Sequence, residues 1–322
     1  MMPNVPRRTY KYKKTQKPLS LFKVDKMRNT NLNAKPNNPK GFTLVEMLVA
    51  MAAGLIVMIA IYTAYVNHQR SHVTQQLVVD MQQNARAAMS LMKREIRMMG
   101  YDPAATDGVD NEDPDDGFVD VDDADESAGA GILIAEENRI QFTADLSYRS
   151  DQADITLPDL TAANENIIYN LAGTQLRRNG QLVAYDIEAV GFAYAFDDDN
   201  DGALDVSDGS FGQGTNGNII WATDSNVGDD KLDRYLDTND DGIVDENDVE
   251  GGVNMTDQVD IDRIRAVRIF LLARTRHPIK DQTDNNTYAV SANHRGPADG
   301  DWDPSRRRVL LITTIYCRNM GI

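Results

Sequence analysis

Lys40-Gly41-Phe42-Thr43-Leu44-Val45-Glu46 opens an apolar run, FTLVEMLVAMAAGLIVMIAIYTAYV, that extends from Phe42 to Val66 with Glu46 as its one charged side chain. About 20 apolar residues cross a bilayer as a helix, so this stretch is long enough to span. A lone carboxylate in hydrocarbon costs on the order of 2.5–3.5 kcal/mol on insertion scales, so Glu46 calls for a partner. Residues 1–41 hold eleven Lys or Arg and one acid, Asp25. That charge places the N-terminus on the cytoplasmic side and everything after Val66 outside. No small-residue cleavage site follows the apolar run, so any cut falls before it.

Basic leader, Gly-Phe junction and an acid five residues into an apolar helix together resemble the processing site of type IV prepilins and pseudopilins. The resemblance implies that prepilin peptidase, a membrane aspartyl enzyme, cuts between Gly41 and Phe42 and methylates Phe42. It also implies that Glu46, fifth in the mature chain, meets the N-terminal ammonium of a neighbouring subunit in the filament. A 41-residue leader is long for that family; a start at Met27 leaves a basic leader of fifteen residues. The expected layout is a cleaved leader (1–41), a transmembrane half-helix (42–66), an amphipathic half-helix (67–100) and a head outside the membrane (101–322).

The amphipathic half is read from spacing. Leu77, Met81, Ala85, Ala88, Met92, Ile96 and Met99 recur every three or four residues, with Gln75, Gln82, Arg86, Lys93 and Arg97 opposite. Gly100 and Pro103 supply the stop. Short β-rich runs follow: Ile132–Ile134, Arg139–Thr143, Ile167–Leu171, a hairpin over Gln175–Val183 turning at Asn179-Gly180, and alternating Val190, Phe192, Tyr194 and Phe196. Two final strands are expected at Ile264–Ala273 and Val309–Cys317, with Arg274–Arg308 as loop. A helix followed by strands predicts α+β: one antiparallel sheet packed on the helix, interrupted by acidic loops at 102–131 and 197–257.

Three further blocks are similar to the PilW family of minor pilins: Met92–Arg97 with Gly100-Tyr101, Ile264–Ile269, and Arg306-Arg307-Arg308-Val309 with Arg318-Asn319. This resemblance implies the type IV pilin fold and a low-abundance subunit that initiates or stabilises a pilus. Its partners would be other major and minor pilins and the inner-membrane assembly platform. A J-type pseudopilin of type II secretion has a similar layout and is the second reading; a pilus-tip adhesin on the same anchor is the third.

The chain carries a formal net charge of −17. Setting the leader aside leaves 33 − 11 = 22 basic and 50 − 1 = 49 acidic residues, a balance of −27. A head so acidic repels nucleic acid and anionic membrane surfaces and attracts divalent cations. The single cysteine, Cys317, rules out an intramolecular disulfide and, in its apolar alternating run, is expected as a small buried hydrophobe.

Two acidic stretches repeat one pattern. Asp197–Asp208 and Asp237–Asp248 both place oxygen side chains at positions 1, 3, 5, 9 and 12, glycine at 6 and an apolar residue at 8. That is the spacing of a calcium loop, in which a hard cation collects six to eight oxygens and the glycine permits the sharp turn. The expected ligands are Asp197, Asp199, Asp201, Asp205 and Asp208 with the Ala203 carbonyl, and Asp237, Asn239, Asp241, Asp245 and Asp248 with the Ile243 carbonyl. Aspartate rather than glutamate at position 12 resembles dockerin-type loops. The alternative is a pair of solvated acidic loops; Asp107–Asp123 fits the spacing poorly. His68, His72, His277 and His294 show no zinc spacing, and no phosphate loop or nucleophile elbow is evident, so a non-enzyme is expected.

Overall fold

The computed structural model describes residues 41–101, 131–144, 166–226 and 228–320. The basic leader ahead of Gly41 and the third acidic candidate, Asp107–Asp123, lie outside the described residues. The chain divides into two compact units between Tyr62 and Thr63.

Helix α1 covers Leu44–Ile96 with no proline to interrupt it. Up to Tyr62 its large apolar side chains are all exposed, and α1 is long and apolar enough to cross a membrane. From Thr63 on, the expected stripe is found: Met81, Ala85, Ala88, Met92 and Ile96 are buried on one face. Each large side chain removed from water in this way contributes roughly 1.5–3 kcal/mol. The regular helix ends at Ile96 rather than at Met99. Met98 and Met99 donate to the carbonyls three residues back, of Glu95 and Ile96, which tightens the last turn. Gly100 then adopts a φ of 73°, and its N–H donates to the Thr143 carbonyl at 3.1 Å. A Cβ at Gly100 would lie 2.7 Å from Met320 Sδ, so only glycine lets the chain leave the helix here without displacing the C-terminal turn.

The strands are β1 (Ile132–Ala135), β2 (Arg139–Thr143), β3 (Asn166–Ala172), β4 (Gln175–Arg178), β5 (Gln181–Tyr185), β6 (Ile187–Phe196), β7 (Ala222–Thr223), β8 (Lys231–Tyr235), β9 (Val253–Asp260), β10 (Ile264–Arg274), β11 (Tyr288–Val290), β12 (Asn293–Arg295) and β13 (Arg308–Tyr316). They form two large antiparallel sheets where one was expected. The first is a meander, β1-β2-β3-β4-β5; the second has the order β13-β10-β6-β7-β8-β9; β11 and β12 make a separate hairpin. The β4–β5 turn is at Asn179-Gly180, both with positive φ, as the sequence demands.

The second sheet is covered on both faces, which is why β6 and β10 read as near-continuous apolar runs. On β10, Val267, Ile269 and Leu271 join the helix stripe and the first sheet in the larger core. Ala266, Phe270 and Leu272 point the other way, into a second core with Trp221, Leu236, Val244 and Val290. Gly191 on β6 makes this second layer possible: a Cβ there would meet the Val290 carbonyl and Ser291 Cβ, each at 2.7 Å. Strands β7 and β8 lie within the acidic region, β9 begins in it and runs past its end, and β11 and β12 lie within the stretch expected as loop. Sequences such as KLDRY and VNMTDQVD carry too much charge to announce a strand.

Candidate functional site

At the start of α1, Thr43 and Glu46 cap each other. Glu46 Oε2 accepts from Thr43 N and Thr43 Oγ1, both at 3.0 Å, and Thr43 Oγ1 accepts from Glu46 N at 3.2 Å. This reciprocal pair satisfies helix-start donors and puts a carboxylate at the positive end of the helix dipole. Phe42 is 88% exposed, and nothing lies within 4 Å of a Cβ built on Gly41. Among the described residues nothing crowds the junction, and the one charge of the apolar run sits within a turn of it.

The two acidic loops adopt one backbone conformation. In each, position 4 is left-handed (Asn200 and Asp240, φ 56°), as is the glycine at position 6 (Gly202, φ 85°; Gly242, φ 90°). In each, the N–H groups of positions 5 and 6 donate to the position-1 carboxylate: Asp201 and Gly202 to Asp197 at 3.1 and 3.0 Å, Asp241 and Gly242 to Asp237 at 3.0 and 2.7 Å. Position 3 accepts from the N–H of position 5 as well, through Asp199 and Asn239. The position-5 carboxylates, Asp201 and Asp241, accept from the N–H groups of Ala203 and Ile243. The apolar residues at position 8, Leu204 and Val244, anchor both loops in the second core.

Within this common frame the expected ligands fare differently. Oxygens of Asp197, Asp199 and Asp201 all lie within 4.8 Å of one another, with Asp197 buried and the other two exposed. Asp205 shares their field: burial raises its pKa, and the carboxylates of Asp199, Asp198 and Asp197 add to the rise. Asp208 is not brought to this group; it is exposed and caps Ser210 through its N–H at 2.8 Å. In the second loop Asp248 is buried and folds back across the turn, accepting from Thr238 N at 2.7 Å and Asp245 N at 2.9 Å. Burial raises the pKa of Asp237, and the charges of Asp248 and Asp241 add to the rise. Asp245 binds Asn247, through N–H at 2.8 Å and Nδ2 at 3.1 Å.

The comparisons with known proteins match both ends of this description. Residues 36–62 fit the prokaryotic N-terminal methylation motif, and residues 151–319 fit the type IV pilus-assembly protein W family. The second match covers more than half of the chain. The chain belongs to the PilW family. No curated protein and no solved structure matches it. Membership makes it a type IV pilin-like, structural subunit, with a prepilin motif and one apolar helix fit for a single-pass anchor.

The head also holds three polar centres that no motif in the sequence announces, two of them wholly inside the PilW segment. Asp240 welds the two loops: Oδ1 accepts from Ser207 Oγ at 2.7 Å, and Oδ2 from Asn216 N at 2.8 Å. Its backbone carbonyl accepts from Asn216 Nδ2 and Asn218 Nδ2. Burial works against the Asp240 carboxylate, yet the bonds from Ser207, Asn216 and Asn218 hold its pKa below the ordinary range. Arg308, one of the arginines in the family-like block, is fully buried. It pairs with Glu188 at 2.5 and 3.0 Å and with Asp284 at 3.4 Å, and its guanidinium lies 3.3 Å from the centre of the Trp302 ring. A third centre fastens the helix to the first sheet. The buried Glu95 carboxylate accepts from Tyr169 Oη and from Arg178 Nε at 2.8 Å. Cys317 is buried as expected, and burial pushes its thiol up to about 12.

Proposed function

We propose that this chain is a minor pilin: cut between Gly41 and Phe42 by prepilin peptidase, held in the inner membrane by residues 42–66, and built into a pilus that it initiates or stabilises. Its head, residues 101–322, lies in the periplasm before assembly and at the cell surface after it. The observation that carries this reading is the start of α1. An open Gly-Phe junction, a fully exposed apolar helix and a carboxylate held by Thr43 coincide in a chain whose head matches PilW. In the uncut chain Glu46 is satisfied locally. Once the cut frees the Phe42 amine, the carboxylate can pair with the ammonium of a neighbouring subunit, and in a dry filament core that pairing also sets axial register. Other pilins and the membrane assembly machinery are the partners this requires.

Calcium is the second part of the proposal. The loop residues fit a hard cation at positions 1, 3 and 5 of the first loop, where three carboxylate oxygens already converge. Asp197, Asp199, Asp201, Asp205 and the Ala203 carbonyl would hold it there; Asp237, Asn239, Asp241, Asp248 and the Ile243 carbonyl would hold it in the second loop. The ion would supply positive charge against clustered carboxylates that otherwise repel one another. The chain's own part is to fix the turn with Gly202 and Gly242 and to bury position 1.

The decisive experiment replaces Glu46 by alanine or valine in the native host. Leader cleavage and membrane insertion are expected to persist, shown by the mass of the mature chain, while incorporation into pili is lost. Normal incorporation of either variant overturns the reading. A knockout that abolishes protein secretion and leaves pili intact assigns the chain to a secretion system instead.

A further inference from the structure

Four strands end the two large sheets, and three of them are closed to a further strand. β1 is four residues long, and its pairing with β2 slips between Ile132 and Ile134. β5 is five residues long, and its pairing with β4 slips between Leu176 and Arg177. β9 carries Asp257 and Asp260, and its pairing with β8 slips between Leu232 and Arg234. Short length, bulges and charge are the devices by which sheets keep other chains from adding to their edges.

β13 is neither short nor bulged, and its one charge, Arg308, is buried at its start. Its nine residues pair with β10 one for one, from Arg274–Arg308 to Ala266–Tyr316, without a slip. After Arg308 no charged residue occurs until Arg318. Val309, Leu311 and Ile315 join the larger core, which makes the strand rigid. Ile312 and Tyr316 remain 51% and 53% exposed. Just outside the strand, Arg307 and Arg318 are exposed, and among the described residues no carboxylate lies in ion-pair reach of either. In a chain of net charge −17, two guanidiniums without an ion-pair partner among the described residues, at the two ends of one sheet edge, are a marked departure.

The charges also disfavour a second β13 as the occupant. Antiparallel pairing centred on Ile312 sets Arg306 of one copy against Arg318 of the other, and parallel pairing sets each arginine beside its own counterpart. Like charges placed opposite each other destabilise a sheet. We propose that the open edge of β13 accepts an extended strand of another polypeptide, apolar along its centre and acidic at both ends. At about 3.3 Å per residue the two arginines stand roughly 36 Å apart, so the acids of the partner strand are separated by about ten to twelve residues. Main-chain bonds along the edge provide affinity, and Ile312, Tyr316 and the flanking arginines choose the partner.

The test uses the full chain in detergent micelles and two dye-labelled peptides of about twelve residues. Both alternate valine and threonine; one ends in glutamate on both sides, the other in lysine. Fluorescence anisotropy is expected to show the glutamate-ended peptide binding about tenfold more tightly, the worth of two weak surface ion pairs against two like-charge contacts. The Arg307→Glu/Arg318→Glu double variant is expected to reverse the order, a result that unfolding cannot produce. Ile312→Lys, which puts a charge on the edge, is expected to weaken both peptides. Equal binding, no binding, or an unchanged order in the double variant overturns the proposal. So does self-association of the chain that displaces the peptide, because it would assign the edge to a second copy.

Discussion

Replacing Arg308 by methionine is expected to cost more stability than any other single change in the head. The side chain is fully buried, and Glu188 and Asp284 beside it are only 2% and 5% exposed. Methionine keeps much of the volume and some contact with Trp302 but removes every donor. Asp284 then loses its cation, and Glu188 retains only Arg274 at 3.5 Å. Breaking a buried pair from one side costs about 3–5 kcal/mol, because the charge left behind stays desolvated. For a unit of this size 1 kcal/mol moves the melting temperature by about 2–4 °C, so a fall of roughly 6–20 °C is expected. Denaturant titration followed by tryptophan fluorescence reads it directly, because one of the two tryptophans, Trp302, lies against the guanidinium. Arg308→Lys is expected to fall between the two, since an ammonium cannot fork onto Glu188. Adding Glu188→Met to Arg308→Met is expected to recover part of the loss, as a buried pair exchanged for apolar side chains is often neutral. A single variant within about 1 kcal/mol of the parent, or strictly additive losses in the double variant, would refute the claim that these groups act as a pair.

Tyr169→Phe removes the hydroxyl that donates to the buried Glu95 carboxylate, and it is expected to cost about 1.5–3 kcal/mol, the worth of a hydrogen bond to a charged group. Hydrogen exchange of the last turns of α1 is expected to speed up in that variant. Asp224 is held up to about 6 by burial, with Asp229, Asp233 and Glu136 adding to the rise. The folded chain therefore keeps this proton to a higher pH than the unfolded chain, and its ionisation costs stability across the window from about 4 to about 6. Asp224→Asn, which keeps the acceptor for Asn226 N, is expected to raise urea resistance above pH 6 and to have no such effect near pH 4. Millimolar calcium is expected to raise the melting temperature, and less so in Asp197→Asn/Asp237→Asn. Because Asp205 and Asp237 have raised pKa values, the calcium effect is expected to shrink on acidification as these carboxyls take up protons. A melting curve indifferent to calcium at neutral pH would remove the metal from the account.

Much of this was legible from short-range pattern. The three-and-four spacing of Met81, Ala85, Ala88, Met92 and Ile96 announces a helix with one buried stripe, because side-chain direction follows helical geometry. Asn179-Gly180 announces a tight hairpin turn because both residues tolerate positive φ. The glycines at 202 and 242 announce the sharp turns that the loops adopt. Such features depend on a few neighbouring residues and on local sterics, so they survive any choice of tertiary partner.

Other features depend on residues far apart, and no local pattern carries them. Glu188, Asp284 and Arg308 meet from positions up to 120 apart, and nothing in their immediate sequence marks them as buried. Asp208 and Asp248 occupy the same position in two matching motifs, yet one turns out to Ser210 while the other folds back under its loop. What separates them is the ground each loop lands on. The Gly-Phe junction, the lone carboxylate of the apolar run, the amphipathic helix and the two loop turns were determined by the sequence alone, through local sterics and periodicity. Tertiary structure decided that there are two sheets rather than one, that Asp240 joins the loops, and that β13 is a terminal strand of its sheet among the described residues. Those outcomes rest on which strands find each other and which charges are desolvated together, and that is settled only when the whole head packs.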